Sequence, residues 1–254
     1  MFNQSLPNHK IIWLNETEST NLYANSILKE NPADETAIVA AFQTKGKGQH
    51  TNSWVSDAGK NILMSRIVYP VFLKPDEIFF LNKVVTKAIL DFLQTEFSIS
   101  AKIKWPNDIY VGDKKIAGIL IENAVMGSHI KHAIIGIGLN INQENFGELL
   151  KQKCTSVKLI SGKEFIVNES VIQLLHHLHN CYEMLIGKRF QALTDFYLKH
   201  LYRLNESRFF KVDFEKVEGT IVGVNHKGKL IVLIDGEFKT FMNKEIEYLI
   251  HDSN

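Results

Sequence analysis

Apolar residues fall into two periods along this chain. Leu81, Val84, Val85, Ala88, Ile89, Phe92 and Leu93 recur at spacings of three and four, the buried face of a helix over 77–97. Residues 168–187 and 189–201 read as two further helices, with Asn168 placed to cap the first. Ser19 or Thr20 is placed to cap a shorter helix over 20–30, which is expected to bury Leu22, Ile27 and Leu28. Elsewhere the apolar runs are short. KIIWL (10–14), AIVAAF (37–42), ILMSRIVY (62–69), KIKW, IYV, KIAGILIEN and IKHAIIGIGLNIN (130–142) read as strands. Gly112-Asp113-Lys114 marks a hairpin between two of them. Strands outnumber helices and several pair locally. The predicted class is therefore α+β, with a mixed, largely antiparallel sheet, and not a doubly wound one.

After Glu206 the pattern changes. FFKVDF, EGTIVGV, KLIVLI, EFKTFM and EIEYLI are five short strands, with tight turns at Asn225–Gly228 and Asp235-Gly236. They predict a small β-barrel over 207–254, appended to a main domain over 1–206. No linker separates the two, so the module is expected to pack on the main domain.

Composition removes several function classes. Across 254 residues, 29 Lys+Arg against 28 Asp+Glu leave a net charge of +1, which excludes a globally basic nucleic-acid coat. Hydrophobic residues at 45% and charged residues at 22% exclude a disordered chain. Cys154 and Cys181 form no CxxC pair, so neither a disulfide framework nor a Cys-rich zinc site is expected. Polar MFNQSLPNHK lacks the apolar core of a signal peptide, and no apolar run is long enough to span a bilayer. A cytoplasmic protein with no membrane partner is expected. His176, His177 and His179 lack the i,i+4 spacing of a helical metal pair and read as a solvated face. No metal ligand is assigned to the protein.

Four segments could carry chemistry, and each also has a plainer structural reading. In Gln43-Thr44-Lys45-Gly46-Lys47-Gly48-Gln49-His50, two glycines can expose N–H groups to an anion. Lys45 and Lys47 add charge with no acid nearby, which suits a phosphate; an ordinary surface loop is the alternative. In Lys104-Trp105-Pro106-Asn107-Asp108-Ile109, Pro106 pushes Trp105 towards an extended conformation. Asn107 and Asp108 then place polar groups at the start of a strand, or cap a turn. In Lys115-Ile116-Ala117-Gly118-Ile119-Leu120, strand alternation puts Lys115 and Ala117 on one face, and Ile116 and Gly118 on the other. Gly118, like Gly136 and Gly138 in GIGLNIN, signals a bulge or a close approach to the backbone.

The ordered set STN, QTKGKGQHTNSW, KWPNDI, KIAGIL and GIGLNIN resembles the biotin protein ligases over residues 10–145, and the β-rich tail resembles that family's SH3-like C-terminal domain. KWPND followed by KxAGIL is the specific pair. The glycine loop departs from the family's Gly-Arg-Gly-Arg-Arg-Gly: Lys47 keeps one charge, Gln49 loses one, and Thr51 replaces a glycine. A strand starting at residue 10 leaves no room before it for the winged helix of the family's repressor members. The resemblance is therefore to the shorter, enzyme-only class, and no DNA partner is expected.

The resemblance implies a class II synthetase-like catalytic domain that makes biotinyl-5′-AMP from biotin and ATP. The biotinyl group then passes to a lysine of a biotin carboxyl carrier protein. Mg²⁺ would bridge ATP phosphates. Lys115 and Asp108 are the implied catalytic residues. Biotin contacts are implied for Ser19, Thr20, Asn21, Gln43, Lys47, Gly48, Gln49, Lys115 and Gly118, and adenylate contacts for Gly46, Lys47, Gln49, Trp54, Asn107 and Asn140. A lipoate–protein ligase, or a non-enzymatic binding protein on the same fold, stays open as an alternative. So does the oligomeric state, a homodimer included.

Overall fold

Seven of the short runs assemble into one sheet. The structure is a computed structural model that describes residues 10–49 and 52–249. Its first seven strands are β1 (Ile11–Thr17), β2 (Ala37–Gln43), β3 (Ile62–Val68), β4 (Lys102–Lys104), β5 (Asp108–Val111), β6 (Lys114–Met126) and β7 (His129–Leu139). They lie in the order β1-β2-β3-β7-β6-β5-β4. Only β1 and β2 run parallel; the other neighbours are antiparallel. A parallel pair needs a crossover, and α1 (Thr20–Ile27) supplies it. The expected mixed, largely antiparallel sheet is what forms.

One face of the sheet is covered by α2 (Phe79–Phe97), α4 (Val167–Ile186) and α5 (Phe190–Lys199). All seven apolar positions predicted for α2 are at most 2% exposed. Each large one contributes about 1.5–3 kcal/mol of burial free energy. The helix starts at Phe79, because a 3₁₀ turn at Pro75–Glu77 takes up the preceding residues. Two expectations fail nearby. Ile166, not Asn168, occupies the cap position of α4, and Asn168 falls inside its first turn. A short helix, α3 (Val157–Ser161), was not expected; five residues cannot show a period, and the Ser156 hydroxyl caps it by accepting from Leu159 N–H.

His177 and His179 do not belong to a solvated face. His177 Nε2 lies 3.5 Å from the Glu96 carboxylate, and His179 Nδ1 lies 3.1 Å from that of Glu35. Glu35 also pairs with Arg66, a guanidinium 2% exposed whose pKa burial pulls down to about 10. Glu35, His179 and Glu183 bring potential ligand atoms within 4.8 Å of one another, and among the described residues Glu35 pairs with Arg66.

The opposite face carries α1. The expected apolar face of this helix is not the buried one: Thr20, Asn21 and Ala24 are buried, whereas Leu22 is 37% exposed and Ile27 and Leu28 are half-buried. Beneath the helix the sheet presents Ser65 and Gly136, which give polar side chains partners and room.

Five further strands form a second, wholly antiparallel sheet: β8 (Ser207–Val212), β9 (Glu215–Val224), β10 (Leu230–Ile234), β11 (Glu237–Phe241) and β12 (Ile246–Tyr248), in the order β11-β10-β9-β8-β12. Asp235 and Gly236 both take positive φ in the turn that joins β10 to β11, as an Asp-Gly pair allows. Phe210, Ile221, Leu230 and Val232 belong to the same core as the main sheet. Trp105 Nε1 donates to the Gly228 carbonyl at 2.8 Å, tying the KWPND segment to the β9–β10 turn. Among the described residues, no helix is long and apolar enough to cross a membrane.

Candidate active site

A β-bulge decides where Lys115 points. Between β5 and β6, Asp108 pairs with Gly118 and Ile109 with Ala117, but Tyr110 pairs with Lys115. Ile116 is the extra residue, and a bulge resets the two-residue alternation. Lys115 thus joins Gly118 on the open face of the sheet, while Ile116 and Ala117 are both buried in the core. The expectation that Lys115 and Ala117 share a face is overturned for this reason. Lys115 Nζ bonds Asp108 Oδ1 at 2.7 Å.

The strand glycines form a floor. Leu63, Gly138, Gly118 and Asp108 stand side by side across β3, β7, β6 and β5. The Trp54 indole lies on this row: a Cβ on Gly138 would be 2.4 Å from it, and one on Gly118 3.1 Å from it. Lys115 Nζ stands 5.5 Å from the Trp54 ring centroid, within cation–π range. One row along, a Cβ on Gly136 would meet Asn21 Oδ1 at 2.4 Å. The close approaches signalled by these glycines are therefore those of Asn21 and Trp54.

Asn21, Thr20 and Gln43 make the neutral end of the site. Thr20 N–H donates to Gln43 Oε1 at 2.7 Å, and Asn21 Nδ2 donates to Glu122 at 2.6 Å. Beyond Gln43 the glycine loop folds back on itself. Gly48 N–H bonds the Asn52 carbonyl, Trp54 N–H bonds the Gly46 carbonyl, and Lys47 bridges to Ser53. Gly46 is needed there, because a Cβ would stand 2.4 Å from the Trp54 carbonyl oxygen. His50 and Thr51 lie outside the described residues. Lys45 does have an acid nearby: the β1–β2 pairing brings Glu18 to 2.9 Å. Both side chains are exposed, so this pair adds little stability.

These parts enclose a cavity of about 350 Å³, within the usual range for small-molecule sites. Ser19, Thr20, Asn21 and Gln43 line one end of the set, and Lys47, Gly48, Gln49 and Trp54 come from the loop. Asn107, Asp108, Lys115 and Gly118 complete the expected lining. Two expected residues do not reach it. Gly46 borders a neighbouring groove instead. Asn140 is buried with its amide donating to the Thr155 carbonyl, while its own backbone carbonyl accepts from Val157; it pins the approach to α3. Asn107 lines the cavity, but its amide bonds the Ile119 carbonyl and so braces β5 against β6.

Other lining residues escaped sequence reasoning. Lys104 was visible only as a letter in KWPND. It lies 4.9 Å from the Tyr248 ring centroid, and burial lowers its pKa while Asp108 opposes that shift. Asn243, Lys244, Ile246, Glu247 and Tyr248 bring the second sheet into the wall. Asn243 Nδ2 donates to Gln49 Oε1 across 194 positions of sequence, a separation at which no local pattern gives a signal.

Comparison with known proteins agrees with this fold. The model of the biotin/lipoate A/B protein ligase family matches residues 13–140. The bifunctional ligase/repressor BirA of Bacillus spizizenii is 34% identical over 177 residues, covering 68% of this chain and 52% of the relative. The chain thus spans about half the length of the Bacillus relatives it matches. Among solved structures, the Aquifex aeolicus biotin protein ligase in complex with biotin and ATP is 26% identical, with a TM-score of 0.79 over 94% of this chain and 97% of that one. The Leishmania major biotin protein ligase in complex with biotinyl-5-AMP is 26% identical, with a TM-score of 0.59 over 93% and 100%. The mixed sheet with its helices and the appended antiparallel sheet reproduce the architecture of those ligases. With a match running from β1 through the glycine loop, KWPND and KIAGIL to the end of β7, the chain belongs to the biotin/lipoate A/B protein ligase family.

Proposed function

We propose that this chain joins biotin to ATP as biotinyl-5′-AMP and then passes the biotinyl group to a lysine of a biotin carboxyl carrier protein. One observation carries the reading: a single cavity is lined both by the neutral donors and acceptors of Thr20, Asn21 and Gln43 and by the cations Lys47, Lys104, Lys115 and Lys244. Biotin has the matching halves, an uncharged ureido ring and a carboxylate. ATP brings the further negative charge that the lysines offset.

In the first step the biotin carboxylate oxygen attacks the α-phosphate and expels pyrophosphate. Two anions must approach, so a cation between them lowers the barrier, and Lys115 is assigned that role. Trp54, flat on its glycine floor, offers the adenine a stacking surface. In the second step the carrier's lysine amine attacks the acyl carbon and expels AMP. That amine must be neutral, and Asp108 is assigned the proton. Mg²⁺ would offset charge on the ATP phosphates. The cavity's acids, Asp108 and Glu247, are outnumbered by its lysines, a lining that fits a metal carried in by the nucleotide.

Residues 1–206 hold this chemistry in the proposed division, and 207–254 form a module that completes the wall. Both cysteines are free thiols, in keeping with a reducing cytoplasm. Isothermal titration tests the reading. Biotin and ATP should each bind, and lipoate should not; lipoate binding without biotin binding would reassign the substrate.

A further inference from the structure

A hydrogen-bonded chain lies behind the neutral end of the cavity. Glu122 Oε2 accepts from Asn21 Nδ2 at 2.6 Å. Ser65 Oγ is 2.5 Å from Asn21 Oδ1 and 2.7 Å from Thr20 Oγ1. Thr20 N and Oγ1 are 2.7 and 3.1 Å from Gln43 Oε1. Thr20, Asn21 and Gln43 line the cavity. Ser65 is fully buried beneath them, and Glu122 borders the groove beside the glycine loop.

The protons in this chain can be ordered by counting donors. A carboxylate only accepts, so Glu122 turns the NH₂ of Asn21 towards itself and leaves Oδ1 facing Ser65. An amide oxygen also only accepts, so the single Ser65 proton goes to Asn21. Ser65 then offers Thr20 lone pairs alone, and the Thr20 hydroxyl must donate inwards, to Ser65 or to Gln43 Oε1. Gln43 Oε1 is already held by the Thr20 backbone N–H, which sends the Gln43 NH₂ the other way. The ligand therefore meets lone pairs at Thr20, while the Gln43 NH₂ lies beside Gly46 of the glycine loop. The Thr20 lone pairs fit a cyclic urea, which has N–H donors on either side of a carbonyl acceptor.

We infer that Ser65 and Glu122 are positioning residues that fix the proton direction of Thr20, Asn21 and Gln43, and so set the preference for a ureido ring. This rests on the biotin reading above. Neither residue needs to touch the substrate. Gly136 belongs to the device, since a Cβ there would take the space of the Asn21 amide.

Steady-state kinetics of pyrophosphate release, with biotin and ATP varied separately, test it. Ser65→Ala should raise KM for biotin about tenfold, with kcat and KM for ATP held within about twofold. Glu122 is exposed, so its variants should fold. Glu122→Gln still offers Asn21 an acceptor and should stay within about threefold of wild type, whereas Glu122→Lys offers only donors and should raise KM for biotin about tenfold. The inference is overturned if Ser65→Ala leaves KM for biotin unchanged, if the Gln and Lys variants behave alike, or if KM for ATP rises in parallel. Wild-type protein that binds no biotin would overturn the ligase reading and this inference together. Wild-type turnover with unaffected variants would overturn this inference alone.

Discussion

Removing the Lys115 side chain separates catalysis from stability. Its ammonium bonds Asp108 Oδ1 at 2.7 Å, and the two side chains are 27% and 23% exposed. A pair this open to solvent contributes about 0–1 kcal/mol to folding. For a chain of this size, Lys115→Ala should therefore lower Tm by no more than about 4 °C. The backbone of Lys115 keeps its bonds to Lys153 and Thr155, so the bulge itself is retained. In the adenylation step, by contrast, the lost cation faces charge that develops at the attacked phosphate. Losing one group of this kind costs about 10²–10³ in rate, or about 2.7–4 kcal/mol. Thermal unfolding measures the first quantity. Pyrophosphate release from biotin and ATP, without carrier protein, measures the second. A rate within about threefold of wild type would refute the role given to Lys115, because even a weak cationic contribution at the reacting phosphate exceeds that. A Tm drop of more than about 10 °C would show that the pair is structural instead.

Asp108→Asn should slow transfer to the carrier lysine more than adenylate formation, since an amide cannot take the amine's proton; single-turnover assays of each half-reaction separate the two, and equal losses would move Asp108 to the nucleotide. Gly138→Ala should expel the Trp54 indole, because the new Cβ would stand 2.4 Å from it. Loss of that stacking surface should raise KM for ATP about 10- to 100-fold and shift Trp54 emission, whereas an unchanged KM would remove Trp54 from the adenine site. Lys83, packed on Phe80 and donating to Thr194, has its pKa brought down to about 8 by burial. The unfolded chain then binds more protons than the folded one between about pH 8 and pH 10, so stability due to Lys83 rises with pH across that window. Denaturant melts should show any advantage of Lys83→Met over wild type shrinking from about pH 7 to about pH 10, and a constant difference would contradict it.

Local physics makes much of this protein legible from its letters. The seven apolar positions of α2 keep one period and land in the core, because a helix has one way to bury them. Asp235-Gly236 turns where it should, since few residues accept two consecutive positive φ values. The motifs STN, QTKGKGQHTNSW, KWPNDI, KIAGIL and GIGLNIN already held most of the cavity lining. What only the tertiary structure decided were relations between distant segments. An extra residue in β6 turned Lys115 towards the cavity, and strict alternation cannot show a bulge. Asn21 and Thr20 took the buried side of α1 from Leu22, because Ser65 and Gly136, far along the chain, receive them. Glu18 reached Lys45, and Asn243 reached Gln49, only through strand pairing and the packing of the second sheet. Periodicity records which face a segment buries; it holds no information about the partner it meets there, and hydrogen-bond and charge complementarity between such partners is what completed this site.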